Sequence, residues 1–465
     1  MADAVEFPKF DRKMSDAEGL MWRLEKDPHL SSAFANVTIL DRPPDFERLV
    51  ARMERATHVV ERLRQRVQPM PVNLTAPMWV DDSNFDIRYH VRHMALPKPG
   101  SMRQLLDLTS LIACDPFERT RPLWQFTVVD GLRGGRSALV EKMHHTIADG
   151  ETSVQMSLQF LDFARDAPEL LPIDPATLAR PDETNSMQVN QDLLRDMLAG
   201  SLRLPLGLIR QIKELLSDPT GIPDAGNAAA DTIRGVMSQL NDTERAHSPL
   251  WTERSLQRGI EVLRAPFNET KSAAKKLGGT LNTAFLTAAA EAAGAYHREL
   301  GQPVDELRAS MAVSTRTDGS GSNAFSLARM MVPTGEMPIA DRFEAIQAAT
   351  GVAREASAGG SLEALAAVAA TLPTSLVTRL ARQQAQTVDF ATSNVRGAPM
   401  PLYVAGSQLL ENYPVGPLAG VAFNLTLLSY NHSLDMGINL DRVAVAEPDV
   451  LRRCMERAFS DLLAV

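Results

Sequence analysis

A long irregular stretch, Leu170–Ser248, divides this chain of 465 residues into two halves. Residues 171–181 are rich in proline and polar side chains, which is typical of a linker. A connection of this length is unusual inside one compact domain, so the sequence predicts a domain boundary here. We predict an amino-terminal lobe over residues 1–185, a helical connection over 186–250 and a carboxy-terminal lobe over 251–465.

Both halves contain runs that are typical of strands and runs that are typical of helices. Helical spacing of apolar residues or helix-forming composition predicts helices at Asp45–Gln68, Met102–Ala113, Glu151–Arg165, Thr280–Leu300 and Pro448–Leu463. Asp341–Ala381 is predicted to be mostly helical, with interruptions at Gly359-Gly360 and Pro373. Extended apolar runs predict strands at Phe85–Val91, Gln125–Asp130, Ser137–His144, Leu307–Ser314, Arg329–Pro333, Phe390–Val395, Pro401–Leu409 and Gly420–Tyr430. The two types occur in groups rather than in strict alternation, which favours an α/β fold of the α+β type.

Charge and composition exclude several classes of protein. The net charge of −9 argues against a nucleic-acid-binding surface and against attachment to a membrane through bulk positive charge. No uninterrupted apolar run approaches the roughly 18 residues of a membrane span, and the first residues lack the apolar core of a signal peptide. With two cysteines, Cys114 and Cys454, a disulfide framework is excluded, so we expect a cytoplasmic protein.

The most specific motif is HHTIADG, from His144 to Gly150, where a predicted strand ends and a predicted helix begins. Adjacent side chains on a strand point to opposite faces, so one histidine can face a cleft while the other packs inward. The pair cannot converge on one metal ion without a break in the strand, and we therefore predict no metal site. Asp149 and Gly150 fit a tight turn: the carboxylate can orient backbone amides or an arginine, and glycine permits backbone conformations closed to other residues.

The motif residues by themselves allow two interpretations. A neutral imidazole can accept a proton from a hydroxyl or a thiol, which makes one histidine a candidate general base. No serine or cysteine elbow lies nearby, so direct base catalysis is favoured over a covalent enzyme intermediate. Alternatively, both histidines are satisfied core residues beside the start of a helix.

The motif HHxxxDG resembles the active-site motif of the chloramphenicol-acetyltransferase-like superfamily. Further segments, in the same order along the chain, resemble its branch of bacterial wax ester synthase/diacylglycerol acyltransferases. These are Met14–Trp22, Asp115–Trp124 with its Pro-Leu-Trp, Ser393–Pro399 with its Asn-Val-Arg-Gly, and Gly420–Asp435. The resemblance spans nearly the whole chain, although Ala398 is an extra residue before Pro399.

This resemblance implies two chloramphenicol-acetyltransferase-like lobes with mixed sheets and a tunnel between them. It also implies an O-acyltransferase that uses acyl-CoA as a substrate and needs no cofactor. By position in the motif, His145 is the general base, His144 supports it, Asp149 orients the loop, and Gly150 completes the motif. Arg316 is a candidate partner for Asp149.

The resemblance also suggests substrate-binding residues outside the motif. Asn394 and Gly397 would position substrate or backbone amides near the thioester, unless they form only a structural turn. Asn282 matches the first residue of an Asn-Asp pair that is frequent in the family, whereas Thr283 replaces the acid. This replacement affects acceptor preference or rate if the acid shapes the edge of the cleft.

The implied acceptor is diacylglycerol, giving triacylglycerol, or a fatty alcohol, giving a wax ester. The alternatives are a condensation-type enzyme that acts on carrier-protein thioesters and a non-catalytic lipid-binding relative. The leucine-rich, arginine-containing segment Gln191–Leu216 is either a helix that touches a membrane or lipid-droplet surface or a plain interdomain helix. We expect peripheral contact with lipid at most, and no nucleic-acid partner.

Overall fold

The computed structural model describes residues 11–69, 76–169, 246–314, 325–357, 366–367, 369–370 and 372–465. The helices are α1 (Asp16–Leu24), α2 (Phe46–Val59), α3 (Ile87–His90), α4 (Met102–Cys114), α5 (Gly150–Ser157), α6 (Phe267–Lys276), α7 (Leu281–Glu299), α8 (Ile339–Ser357), α9 (Thr374–Ala385) and α10 (Pro448–Leu463). The strands of the first half are β1 (Ala33–Leu40), β2 (Gln65–Gln68), β3 (Met78–Asp81), β4 (Val91–Ala95), β5 (Trp124–Leu132) and β6 (Arg136–His144). Those of the second half are β7 (Arg258–Pro266), β8 (Glu306–Ser314), β9 (Phe325–Pro333), β10 (Phe390–Arg396), β11 (Tyr403–Val404), β12 (Ser407–Val415), β13 (Phe423–Tyr430) and β14 (Ser433–Asp441).

Two six-stranded sheets form the centres of two lobes. The first sheet has the order β11-β12-β1-β6-β5-β4, and the second has the order β7-β14-β13-β10-β8-β9. Both sheets are mixed, because β4 runs parallel to β5, and β10 runs parallel to β8 and β13, whereas the other pairs are antiparallel. The expected two-lobed fold with mixed sheets is confirmed.

The two faces of the first sheet have different chemistry because side chains alternate along each strand. Val37, Ile39 and Val140 point to one face and are buried with Leu105 of helix α4 in one apolar cluster. The residues between them point to the opposite face, which is turned toward the second lobe. Helix α4 therefore holds the outer face of the sheet and leaves the inner face open to a cleft.

Strand β12 belongs to the second half of the chain but pairs with β1 of the first sheet. It also rests on β14 of the second sheet, where the backbone N–H of Asn412 donates to the buried carboxylate of Asp435 at 2.7 Å. Thus part of the predicted lobe 251–465 completes the sheet of the other lobe. The three domain ranges remain predictions, and the connection over residues 186–250 lies almost entirely outside the described residues, as does Gln191–Leu216.

Several predicted elements match closely, among them the β5–β6 hairpin and helices α4, α7 and α10. Three do not. The helix predicted over 45–68 ends at Val59 and is followed by strand β2, which pairs with β3. The run predicted as extended over 85–91 contains the short helix α3, because the side chain of Asp86 accepts the backbone N–H of Arg88 and caps it.

The helix predicted over 151–165 ends at Ser157 for a tertiary reason. Beyond it, the backbone of Asp162 exchanges hydrogen bonds of 2.7 and 2.8 Å with Tyr403, the first residue of β11. The predicted strand Pro401–Leu409 is itself split by a turn in which Ala405 and Gly406 have positive φ. The apolar spacing of residues 151–165 therefore predicts a longer helix than the one that forms, because Asp162 must be extended to pair with β11.

Gly437→Ala tests the contact between β12 and β14. The added Cβ would lie 2.1 Å from the carbonyl oxygen of Pro414, a backbone atom that cannot move aside unless β12 shifts. We expect the melting temperature to fall by about 3–6 °C, as for a loss of a few kcal/mol in a chain of this size. Gly351→Ala is the matched control, because no atom lies within 4 Å of its Cβ and alanine favours the helix there. Equal melting temperatures for the two variants would show that the contact does not hold the lobes together.

Candidate active site

A cavity of about 1050 Å³ lies between the two lobes, where the tunnel is expected. Strands β1, β6 and β12 line it from the first sheet, and β10 and β13 line it from the second. Most lining side chains are apolar, as suits a site for a hydrocarbon chain. Of the predicted site residues, the cavity wall includes His145, Asp149, Gly150, Asn394 and Gly397.

The two motif histidines lie on opposite sides of the strand end, as the alternation of side chains predicts. His145 faces the cavity, whereas His144 is buried behind the strand and is absent from the cavity wall. Nδ1 of His144 accepts the backbone N–H of Thr146 at 3.1 Å. Nε2 of His144 therefore carries a proton, which it donates to the carboxylate of Glu25 at 3.0 Å.

Glu25 is a site residue that sequence reasoning missed. Its carboxylate also accepts the hydroxyl of Ser31 at 2.6 Å and the backbone N–H of Ser32 at 2.9 Å. Burial by itself would raise the pKa of Glu25, but the hydrogen bonds from His144, Ser31 and Ser32 hold it below its usual value. Glu25 directly follows helix α1 and lies more than a hundred residues before the motif. No local sequence pattern therefore predicts its contact with His144.

His145 sits in an environment that disfavours the charged imidazolium. Its ring centroid lies 4.7 Å from that of Phe34, and its backbone N–H donates to the carbonyl of Ser32 at 3.1 Å. Burial, with a further contribution from His144, lowers the pKa of His145 to about 4, although Asp149 acts in the opposite direction. The imidazole is therefore neutral at pH 7 and can accept a proton inside the cavity.

Asp149 and Gly150 form the turn that opens helix α5. The buried carboxylate of Asp149 accepts the backbone N–H of Thr152 at 2.8 Å and caps the helix. This is the predicted contact of the carboxylate with a backbone amide. Arg316, the predicted partner of Asp149, lies outside the described residues. The expected reason for glycine at 150 is wrong: its φ is not positive. Instead, a Cβ there would lie 2.9 Å from Cγ2 of Val395, so glycine allows α5 to approach β10 closely.

The predicted substrate-binding residues lie on the second lobe. Asn394 is exposed on β10, and Gly397 directly follows that strand, with its backbone N–H bonded to the carbonyl of Ser429 at 3.1 Å. Asn282 lies in the first turn of α7, and its Oδ1 is 3.5 Å from Nδ2 of Asn394. Asn282 is not part of the cavity wall. Binding of substrate by these three residues stays a prediction.

Thr283, which stands where the family often has an acid, is buried at the start of α7. Its hydroxyl lies 3.0 Å from that of Thr280, the residue that caps the helix. The side chain therefore takes part in the helix start and does not line the cavity. Its effect on acceptor preference remains a prediction.

Four polar side chains on the cavity face of the first sheet also escaped sequence reasoning. We call Asn36, Thr38, Glu141 and Asn412 the polar patch. Asn36 donates through Nδ2 to Oε2 of Glu141 at 2.7 Å and to Oδ1 of Asn412 at 2.6 Å. Glu141 is two residues before Met143 and four before His145, so strand alternation places all three on one face.

The described part of the chain contains no group of three or more His, Cys, Asp or Glu side chains that could hold a metal ion. None of its helices combines the length and the apolar character needed to traverse a bilayer.

Comparisons with known proteins agree with this architecture. A family model described as the wax ester synthase/diacylglycerol acyltransferase catalytic domain matches residues 14–285, and the model for the WS/DGAT C-terminal domain matches residues 321–463. A putative diacylglycerol O-acyltransferase of Mycobacterium tuberculosis H37Rv is 30% identical over 478 aligned residues, which cover 100% of this chain and 94% of that protein.

Two solved structures share the fold. A wax ester synthase/diacylglycerol acyltransferase from Marinobacter aquaeolei VT8 superposes with a TM-score of 0.66 at 21% identity, covering 97% of this chain and 98% of its own. A mutant starter condensation domain of rhizomide synthetase, solved in complex with C8-CoA and Leu-SNAC, gives a TM-score of 0.56 at 13% identity, covering 97% of this chain and 93% of its own.

The environment of His145 predicts an unusual titration. In NMR spectra of histidine-labelled protein, the resonance that disappears in His145→Ala should titrate near pH 4, whereas the ordinary value is 6.5. Since the unfolded chain already binds this proton near pH 6.5, the group should lower the free energy of unfolding as the pH falls from about 6.5 to 4. A midpoint close to 6.5 would contradict the burial of this ring.

Proposed function

The chain belongs to the wax ester synthase/diacylglycerol acyltransferase family and is an acyltransferase, and we propose that it moves a long-chain acyl group from acyl-CoA to diacylglycerol, a fatty alcohol or both. The observation that carries this proposal is the position of His145. It is the one histidine of the HHTIADG motif that faces the cavity, and its neutral form is favoured there.

In the proposed reaction, His145 acts as a general base on the acceptor hydroxyl. The imidazole takes the hydroxyl proton while the oxygen attacks the thioester carbonyl, which forms a C–O bond and a tetrahedral intermediate. Collapse of the intermediate breaks the C–S bond, and the departing CoA thiolate takes the proton from His145. Because a thiol has a pKa near ~8.5 and the pKa of His145 is about 4, this last transfer is favourable.

The other motif residues hold this base in place. We assign His144 a supporting role, since its ring is fixed between Glu25 and Thr146 and cannot reach the cavity. Asp149 orients the loop by capping α5. Since no nucleophilic serine or cysteine is assigned, the acyl group passes directly to the acceptor, and positioning of the two substrates supplies much of the rate.

We further propose that the reaction needs no cofactor and no metal, because acyl-CoA is itself a substrate. The lack of strong positive charge argues against a nucleic-acid partner. We place the enzyme in the cytoplasm, with peripheral contact with a membrane face or a lipid droplet as the route by which a lipid acceptor reaches the cavity.

Acceptor dependence tests the reaction. Purified protein given palmitoyl-CoA should release CoA only when dioleoylglycerol or hexadecanol is present, and chromatography should show triacylglycerol or wax ester. Release of CoA can be followed with a thiol reagent. If folded protein releases no CoA with either acceptor, the proposed transfer from acyl-CoA to these acceptors fails, and the non-catalytic lipid-binding alternative is favoured. Turnover with acyl groups on a carrier protein alone would instead support the condensation-type alternative.

Substitution of each motif histidine tests the assignment of the base. His145→Ala should lower the rate by roughly 10²–10⁴-fold, the usual effect of losing a general base, with an unchanged melting temperature. His144→Ala should have the smaller effect. His247→Ala is the control, because this histidine is exposed and lies outside the cavity wall. If His144→Ala is the inactive variant and His145→Ala is not, the base is wrongly assigned.

A further inference from the structure

The polar patch joins three strands of the first sheet. Asn36 of β1 lies directly opposite Glu141 of β6, and Thr38 of β1 lies directly opposite Asn412 of β12. Thr38 donates its hydroxyl to Oδ1 of Asn412 at 3.1 Å and lies 3.2 Å from Nδ2 of Asn36. All four side chains line the cavity.

The patch lies among apolar side chains, and no cation of the described part of the chain pairs with its carboxyl. Leu139 and Met143 flank Glu141 on the same face, and Phe126 is opposite it on β5. Within the described ranges, Glu141 forms no ion pair. Burial of such a carboxyl is costly unless it is paired or fully hydrogen-bonded, and the hydrogen bond from Asn36 satisfies only Oε2. Burial raises the pKa of Glu141 to about 7, so near neutral pH this carboxyl both donates and accepts hydrogen bonds.

The amide group of Asn36 has more acceptors around it than it has hydrogens to donate. Nδ2 of Asn36 has two hydrogens but lies within 3.2 Å of three oxygens, those of Thr38, Glu141 and Asn412. In the described structure no hydrogen bond reaches Oε1 of Glu141. A ligand hydroxyl, which donates one hydrogen bond and accepts others, is the group that satisfies this arrangement.

The distance between Glu141 and His145, the proposed base, sets where along a substrate chain that hydroxyl must lie. Glu141 lies on β6 and His145 directly follows the last residue of that strand, and both face the cavity with Met143 between them. Four residues at ~3.4 Å each separate them by about 14 Å, which is roughly eleven methylene groups of an extended chain. The second ester of a diacylglycerol lies too close to its free hydroxyl to reach so far.

We propose that the polar patch binds a hydroxyl carried about ten to twelve carbons from the reacting carbon, so that mid-chain hydroxylated chains are preferred substrates. This inference rests on the proposed acyltransferase function. The hydroxylated chain can be the acyl donor or the acceptor alcohol, and Glu141 is the residue that selects it.

The experiment compares kcat/KM for hydroxylated and plain chains with the purified full-length protein. In one arm, 12-hydroxystearoyl-CoA and stearoyl-CoA are donors to hexadecanol. In the other, 1,12-octadecanediol and 1-octadecanol accept from palmitoyl-CoA. We expect the hydroxylated chain to be preferred about tenfold in one arm, the effect of one hydrogen bond in a buried site. That arm identifies which chain occupies the patch.

Glu141→Leu should abolish the preference, and Glu141→Gln, which has the shape of the protonated carboxyl, should retain most of it. Thr38→Val is a second variant that perturbs the patch without adding volume, and it should reduce the preference. 2-Hydroxystearoyl-CoA, whose hydroxyl lies beside the thioester, should show no dependence on Glu141.

The two proposals fail in different ways. Equal preference ratios in wild type and Glu141→Leu, with plain chains still turned over, overturn the role of the patch alone. The absence of turnover by wild-type protein with every donor and acceptor overturns the acyltransferase proposal itself.

Discussion

The pairing of β12 with β1 is the interaction on which the rest of the molecule depends. It carries a segment of the second half of the chain into the sheet of the first lobe, while Asn412 stays bonded to Asp435 of the second sheet. The two sheets are thereby held face to face across the cavity. Gly437 allows this crossing, because a side chain there would strike the backbone at Pro414.

The alternation of side chains on β6 separates two roles within one motif. His144 points away from the cavity and exchanges hydrogen bonds with Glu25 and Thr146, whereas His145 enters the cavity and is kept neutral by burial. The carboxylate of Glu25, which fixes the ring of His144, thus lies behind the strand and outside the cavity. The same alternation brings Glu141 to the cavity face, where a carboxyl has no cation to balance it within the described residues.

Many of the helices, strands and side-chain orientations could be predicted from the sequence, and those that could not have physical causes. The β5–β6 hairpin, helices α4, α7 and α10, and the opposite orientation of the two histidines follow from local periodicity. The end of α5 does not, because Asp162 leaves the helical pattern to pair with Tyr403. Glycine at 150 was expected for its backbone freedom, but the structure requires it for contact with Val395, a neighbour that no local pattern reveals.

The sequence by itself determined the class of fold and the HHTIADG motif, because strand period and motif spacing are local properties, and the family resemblance singled out His145 as the candidate base. Only the tertiary structure decided which distant groups meet. Glu25 reaches His144, and Asn36 meets both Glu141 and Asn412, across separations of more than a hundred residues. Such contacts depend on strand order and on the crossing of β12, and neither is encoded in the spacing of neighbouring residues.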